Sequence, residues 1–279
     1  MTHTPIVPED ARIGRTALLV ANLEETTDFY RDVVGLEVLS RDGDTATLGV
    51  DETPLLVLTT ADAEQPRAPE QTGLFHNAFR VPTRAALGAA LDRIRERGQL
   101  RGASDHYVSE ALYAADPEGN GVEIYWDRPR EAWPRADDGT VRIGTIPLEL
   151  GDVAAQSDGA TAVPTGTTVG HVHLEVSSME ATRAFYVDTL GLRVQTELPS
   201  ALFVAAGDYH HHLGLNTWNG RSQPAGGHGL AWFEFVVPDE ETLETVRRRL
   251  AETTTSVTEL ADCVELTDPD GITIRFRAE

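Results

Sequence analysis

The chain has 279 residues, with 45 acidic residues against 23 basic ones and a formal net charge of -22. All of the basic residues are arginine, and the acidic excess is spread along the sequence. The length fits about two domains of ordinary size, and so acidic a surface disfavours nucleic acid and anionic membranes as partners, because like charges repel.

The first predicted unit is a strand, a helix and three strands. A strand over 13–20 leads into a helix that Asn22 caps and Gly35 ends, since a side-chain oxygen suits a helix start and glycine a helix end. Three short strands are predicted next, around 36–40, 45–50 and 54–59.

The second predicted unit repeats this order after a polar loop at 61–72. A strand over 73–81 precedes a helix from about Thr83 to Gly98, which carries apolar residues on one face. Three strands close the unit, around His106, Ala111 and Glu123. In the last of them Glu123 alternates with Val122 and Ile124, so its side chain should point to the opposite face.

A duplication organises the whole chain. FYRDVVGLEV at 29–38 recurs as FYVDTLGLRV at 185–194, beyond a segment at 128–167 rich in Pro, Gly, Asp and Thr that predicts a linker. The pattern predicts an α+β fold of four βαβββ modules in two tandem pairs, which form cupped sheets of mixed and antiparallel strands. Residues 9–127 would form a domain of modules 1 and 2, and residues 168–279 a domain of modules 3 and 4.

Matched positions of the two copies differ in chemistry. Three slots hold His76, Glu123 and His171 in one set of modules and Trp232, Arg275 and Arg15 in the other. Two neutral imidazoles and a carboxylate form a facial triad that suits Fe(II), with Mn(II), Ni(II) or Zn(II) as further possibilities, whereas the counterparts cannot bind a divalent cation. His173, on the same face of its strand, is an alternative ligand to His171.

These residues resemble the vicinal oxygen chelate superfamily, which includes glyoxalase I, bleomycin-resistance proteins and extradiol ring-cleaving dioxygenases. The resemblance covers about 12–127 and 168–278. It depends on the module order, on GH at 170 followed by FY at 185, and on the DPxG turns that begin at 116 and 268. The stretches GASDHYVSEALY and GDYHHHLGLNTWNG are most similar to two-domain catechol 2,3-dioxygenase-like proteins.

The resemblance implies a role for each site residue. His76, His171 and Glu123 fall on the metal-ligand positions, and Tyr113 falls on a tyrosine that hydrogen-bonds the substrate. The three consecutive histidines fall near the acid–base residue. Because Leu213, Leu215 and Trp218 continue them as an apparent strand, alternate side chains should share a face. We expect His212 to act, with His210 on the same face and His211 in reserve.

One departure from the family pattern concerns module pairing. In the better-known extradiol enzymes all three ligands lie in the C-terminal half, but here that half keeps only His171. We therefore predict that module 2 pairs with module 3 and module 1 with module 4. This crossed pairing would create one complete metal site and one site with no ligands.

The predicted function is Fe(II)-dependent extradiol cleavage of a catechol-like ring, with a small aromatic diol and O2 as substrates. A glyoxalase-type isomerase or lyase on the same metal site is one alternative, and a metal-free binding protein like those of bleomycin resistance is another. The sequence leaves homo-oligomerisation open. The acidic surface and the lack of an apolar leader or membrane span predict a cytoplasmic protein of a salt-rich cell, such as that of a halophilic archaeon.

Overall fold

A computed structural model describes residues 5–60, 65–137, 139–253 and 255–279, so the first four residues of the predicted 61–72 loop lie outside the described chain. Module 1 consists of β1 (Arg12–Leu19), α1 (Leu23–Phe29), β2 (Glu37–Asp42), β3 (Thr45–Val50) and β4 (Thr53–Thr59). Module 2 consists of β5 (Gly73–Val81), α2 (Arg84–Arg97), β6 (Gly102–Asp105), β7 (Ser109–Ala115) and β8 (Gly121–Asp127). The linker contributes a 3₁₀ turn (Arg130–Ala132), β9 (Ile146–Pro147) and α3 (Leu150–Ala154).

Modules 3 and 4 repeat this order. Module 3 consists of β10 (Thr168–Glu175), α4 (Met179–Arg183), β11 (Arg193–Leu198), β12 (Ala201–Ala205) and β13 (Leu213–Asn216). Module 4 consists of β14 (Gly229–Val237), α5 (Glu240–Leu250), β15 (Val257–Glu259), β16 (Val264–Thr267) and β17 (Thr273–Ala278). The predicted α+β fold of four βαβββ modules is confirmed.

The helices begin and end where their capping residues predict. The Asn22 side chain accepts a hydrogen bond from the Glu25 backbone N–H, and α1 continues as a π-helical turn over Tyr30–Val34 until Gly35, at φ 93°, reverses the chain. A matching π-helical turn, Ala184–Thr189, follows α4. Even the longest described helix, α2, has 14 residues, and none in the described ranges is long and apolar enough to cross a bilayer.

The strands form two mixed sheets, and each sheet takes one module from each half of the chain. The eight-stranded sheet has the order β15-β16-β17-β14-β1-β4-β3-β2, and the nine-stranded sheet has the order β11-β12-β13-β10-β5-β8-β7-β6-β9. The antiparallel pairs β1/β14 and β5/β10 join the modules at the centre of each sheet. The predicted crossed pairing of modules 1 with 4 and 2 with 3 is therefore confirmed.

The two motifs that recur in each half contact each other. The Tyr186 hydroxyl donates to Asp268 Oδ2 at 2.9 Å, and the Tyr30 hydroxyl lies 3.4 Å from Asp116 Oδ2. Each aspartate also accepts backbone N–H groups of its own turn through Oδ1. The FY and DPxG motifs therefore recur together because they join the helix of one module to the last turn of the next.

The linker is part of the packed structure. Helix α3 packs against α2 at Gly88, where an added Cβ would lie 2.7 Å from the Val153 carbonyl oxygen, so glycine permits the close approach. Strand β9 extends the nine-stranded sheet, with Pro147 opposite Ser104 and Ile146 opposite Asp105 on β6. The segment predicted as a linker thus also completes the edge of the sheet that holds the candidate site.

Candidate metal centre

Strand register in the nine-stranded sheet brings the candidate residues into one row. His171 on β10 lies opposite Ala78 on β5, Ala78 opposite Glu123 on β8, and Glu123 opposite Tyr113 on β7. Residues that face each other across strands project on the same side of the sheet. The small side chain of Ala78 leaves room for His171 and Glu123 to meet above it. His76 lies two residues before Ala78 and so shares its face.

The three predicted ligands converge. Glu123 Oε2 lies 2.9 Å from His76 Nε2 and 3.3 Å from His171 Nε2. One ligand atom from each of the three residues lies within 4.8 Å of the others, and all three side chains are buried. His173 lies beside His76, with ring centres 4.8 Å apart, and is outside this group. The geometry therefore favours His171 over His173 as the third ligand.

The protonation state of the cluster fits a divalent cation. Burial alone would raise the pKa of Glu123, but His171 and His76 lower it well below its ordinary value, so the carboxylate is ionised. Burial lowers the pKa of His171 to about 4, which leaves its imidazole neutral at pH 7. His76 Nε2 is buried, and although it lies 2.9 Å from Glu123 Oε2, it makes no well-oriented hydrogen bond among the described residues. A cation would satisfy this nitrogen and the carboxylate together.

Tyr113 is held by a histidine at the cavity edge. His106 Nδ1 lies 2.7 Å from the Gly144 carbonyl oxygen, and His106 Nε2 lies 2.7 Å from the Tyr113 hydroxyl. Because a carbonyl only accepts, Nδ1 carries the proton, and in neutral His106 Nε2 accepts from Tyr113. Burial raises the pKa of Tyr113 well above its usual value, and Glu123 raises it further, so the phenol stays protonated.

In the structure His211, and not the predicted His212, lines the cavity beside the candidate ligands, so His211 is the better acid–base candidate. The His211 ring lines the cavity at 4.2 Å from the His171 ring centre. The ring of His212 lies at a separate cavity, where its Nδ1 accepts the Ala206 backbone N–H, and His210 is fully buried. Neither His210 nor His212 is among the residues that line the cavity of the metal centre.

The reason for this correction lies in the local backbone. The three histidines precede β13, so the alternation of side chains along a strand does not apply to them. Gly207, with φ 64°, turns the chain three residues before His210. The Gly207-Asp208 pair is a turn signal that could have indicated a loop at this point of the sequence.

A cavity of about 530 Å³ opens above the three-residue cluster. Part of its lining is apolar and aromatic, formed by Phe75, Leu198, Phe203 and Trp218. Phe75 and Trp218 contact each other edge to face, with ring centres 5.4 Å apart. Of the described residues that line the cavity, none is an arginine, and Glu123 is its only acidic residue. The linker supplies a further wall at 143–145, which the sequence patterns did not predict.

The matching position in the eight-stranded sheet is filled by its own side chains. Glu234 takes the place of Ala78 and accepts two hydrogen bonds from the Arg15 guanidinium, each of 2.9 Å. The Arg275 guanidinium stacks on Trp232 at 4.2 Å from the ring centre. Within the described ranges, the cluster of His76, Glu123 and His171 is the only group of three such side chains with metal-binding geometry. Arg15, Trp232 and Arg275 therefore come together in the eight-stranded sheet, as the crossed pairing predicts.

Comparison with known proteins agrees with this architecture. The sequence profile of the Glyoxalase/Bleomycin resistance protein/Dioxygenase superfamily matches residues 12–124 and 168–276. The chain belongs to this superfamily. It is 38% identical over 272 residues to the catechol-2,3-dioxygenase of Bacillus subtilis (strain 168), which covers 94% of this chain and 95% of the relative.

Two further similar proteins match this chain over different shares of its length. A manganese-dependent 2,3-dihydroxybiphenyl 1,2-dioxygenase of Geobacillus genomosp. 3 is 32% identical over 141 residues, which is 47% of this chain and 40% of the relative. The crystal structure of glyoxalase I from Zea mays superposes with a TM-score of 0.60 at 16% identity, covering 96% of this chain and 92% of that one. The maize structure supports the shared fold alone.

Proposed function

We propose that the protein is a metal-dependent extradiol dioxygenase that cleaves a catechol-like ring with O2. The observation that carries this proposal is the convergence of His76, Glu123 and His171 at the floor of an aromatic cavity. The similarity to a catechol-2,3-dioxygenase over 94% of the chain supports it. A divalent cation held by the three side chains would supply Lewis acidity and a template that orients the diol and O2.

We propose Fe(II) as the cation, with Mn(II) as the nearest competitor. Two imidazoles and one carboxylate on one side of an ion leave other positions open, which suits Fe(II) oxygenases. Mn(II) deserves a parallel test because one relative is described as manganese-dependent. Ni(II) and Zn(II) also accept this donor set and would accompany an isomerase activity.

His211 is the proposed acid–base residue. Burial, together with the neighbouring imidazoles of His171 and His210, lowers the pKa of His211 well below its usual value, so the ring is neutral at pH 7. A neutral imidazole at the cavity wall accepts a phenolic proton from the diol and returns it to the ring-opened product. The Tyr113 hydroxyl lies beside Glu123 in the same row and donates to His106, so it binds the substrate by accepting a hydrogen bond from a hydroxyl of the diol.

The cavity favours uncharged catechols. Phe75, Phe203 and Trp218 provide apolar surface for a ring and its substituents. The described residues that line the cavity include no arginine or lysine that could pair with a carboxylate on the substrate. Transfer of an unpaired carboxylate into such a cavity is costly. We therefore propose that catechol and alkyl- or aryl-substituted catechols are substrates and that carboxylated catechols are poor ones.

Anaerobic reconstitution tests the proposal. The metal-free protein is loaded with Fe(II) or Mn(II), given air-saturated catechol, 3-phenylcatechol or 3,4-dihydroxybenzoate, and followed by oxygen uptake and by the yellow colour of the ring-opened product. We expect turnover of the two uncharged diols, with kcat/KM at least about 100-fold lower for the carboxylated one. Absence of oxygen uptake with every metal and diol would refute the assignment.

The alternatives give different results in the same preparation. An isomerase or lyase of the glyoxalase type predicts no oxygen uptake and activation by Ni(II) or Zn(II) on a thiol adduct. A metal-free binding protein predicts that His76→Ala and Glu123→Ala leave ligand binding intact. The buried ionised carboxylate between two imidazoles favours the metal-dependent function over this last alternative.

A further inference from the structure

A chain of hydrogen bonds runs from the cavity wall to a buried carboxylate. His211 Nδ1 lies 2.7 Å from His210 Nδ1, and His210 Nε2 lies 2.9 Å from Asp127 Oδ1. On its other side, Asp127 Oδ2 accepts from the Tyr209 hydroxyl at 2.9 Å and lies 3.6 Å from Arg80 Nη1. His210 has no exposed surface. These contacts leave His210 enclosed between Asp127 and His211.

The acceptor at one end determines which ring nitrogens carry protons. Burial alone would raise the pKa of Asp127, but His210, Arg80 and Tyr209 lower it, so the carboxylate is ionised and only accepts. His210 Nε2 therefore carries a proton. In neutral His210 this is the only ring proton, so Nδ1 is an acceptor. His211 must then donate from Nδ1.

We propose that Asp127 and His210 are positioning residues that hold His211 as the Nδ1–H tautomer, with an unprotonated Nε2 left for the substrate in the cavity. This inference rests on the proposed function, because it explains how the acid–base residue of that reaction is kept ready to accept a proton. A base whose proton sits on the wrong nitrogen is correctly placed but inactive.

Replacement of Asp127 by asparagine should reverse the direction of these hydrogen bonds. The oxygen of the new amide faces Tyr209 and Arg80, since both groups donate, so its NH2 group faces His210 Nε2. His210 then accepts at Nε2 and carries its proton on Nδ1. His211 in turn accepts at Nδ1 and carries its proton on Nε2, where it cannot take one from a diol.

The activity test compares Fe(II)-loaded wild-type protein with Asp127→Asn. We expect kcat to fall about 100-fold, the lower range for loss of a general base, while KM stays within about threefold because no substrate contact changes. Asp208→Asn is the matched control, since this exposed aspartate pairs with Arg130 and takes no part in the hydrogen bonds from His211 to Asp127. It should keep kcat within about twofold, in line with the small effect of exposed ion pairs. Metal-induced stabilisation should be the same in all three proteins.

A second measurement does not depend on turnover. Nitrogen-15 NMR of Zn(II)-loaded protein, with labelled histidine, distinguishes protonated from unprotonated ring nitrogens. We expect the His211 proton on Nδ1 in wild type and on Nε2 in Asp127→Asn. A wild-type Nε2–H signal for His211, or an Asp127→Asn variant with wild-type kcat, would overturn the inference. If wild type shows no oxygen uptake, the proposed function fails, and the NMR result still decides the tautomer.

Discussion

Substitution of Glu123 by glutamine should abolish metal-dependent stabilisation while keeping the shape of the site. The carboxylate is fully buried, and its Oε2 lies 2.9 Å and 3.3 Å from two imidazole nitrogens. Glutamine has the same heavy-atom outline, but it brings no negative charge to the position where a cation would bind. The variant therefore tests the charge of the site separately from its packing.

The size of the effect follows from linkage. A metal at about 100 times its Kd stabilises the folded wild-type protein by about 2.7 kcal/mol. One kcal/mol shifts Tm by about 2–4 °C in chains of 150–250 residues, so this longer chain should gain about 5 °C. Loss of a residue that only hydrogen-bonds a metal ligand weakens metal binding by about 10- to 100-fold, so loss of a ligand itself should weaken it by at least about 100-fold. The same metal concentration then adds only about 0.4 kcal/mol of stability. The variant should gain less than about 1 °C.

Differential scanning calorimetry with and without Mn(II), on protein stripped by a chelator, measures both shifts. Glu234→Gln is the matched control, because Glu234 is an equally buried glutamate in the corresponding part of the other sheet and pairs with Arg15. Its baseline Tm should drop, but its metal-induced shift should equal that of wild type. A full shift in Glu123→Gln, or none in wild type with Fe(II), Mn(II), Ni(II) or Zn(II), would contradict a metal centre at His76, Glu123 and His171.

Three further outcomes are expected. Burial raises the pKa of Asp268 from 3.8 to about 6 despite its hydrogen bonds, so the folded state binds more protons than the unfolded state and stability falls as pH rises from about 4 to about 6. In Asp268→Asn the amide oxygen still accepts both backbone N–H groups, and the NH2 group donates to the Tyr186 hydroxyl. The variant should be more stable than wild type by up to about 3 kcal/mol at pH 8 and no more stable at pH 4, as urea midpoints would show; equal midpoints at pH 8 would refute this. Gly170→Ala places a Cβ 1.8 Å from the Tyr125 hydroxyl, whose ring packs on His171, and should lose about 1–3 kcal/mol of stability as well as metal affinity, whereas Gly151→Ala, with open space around it, should lose neither. The proposed adaptation to a salt-rich cytoplasm predicts a higher Tm in about 2 M than in about 0.1 M KCl, because salt screens the repulsion among the acidic side chains; equal melting temperatures would count against it.

Much of the fold could be predicted from local sequence. Asn22 and Gly35 mark the ends of the first helix because a side-chain acceptor and a positive φ are local requirements, met within a few residues. The strand over Gly73–Val81 follows from composition and flanking turns in the same way. The duplication, visible at 29–38 and 185–194, extended these local predictions to the second half. The metal-ligating residues at 76, 123 and 171 could also be predicted, because the equivalent positions of the other two modules carry side chains that do not bind a cation.

The crossed module pairing was predicted indirectly, from the requirement that three ligands meet, because no local pattern records which distant strand a strand pairs with. The division of the chain into domains at 9–127 and 168–279 remains a prediction about the sequence repeat, since each sheet draws on both halves.

The tertiary structure alone decided which of three consecutive histidines reaches the cavity, and that the linker forms one of its walls. The backbone before β13 is a loop held by contacts with distant residues, among them the hydrogen bond from His210 to Asp127, 83 residues away. In a regular strand the direction of a side chain follows from a fixed period of two. In a loop it follows from whichever long-range partners lower the free energy, and those partners appear only when the chain has folded.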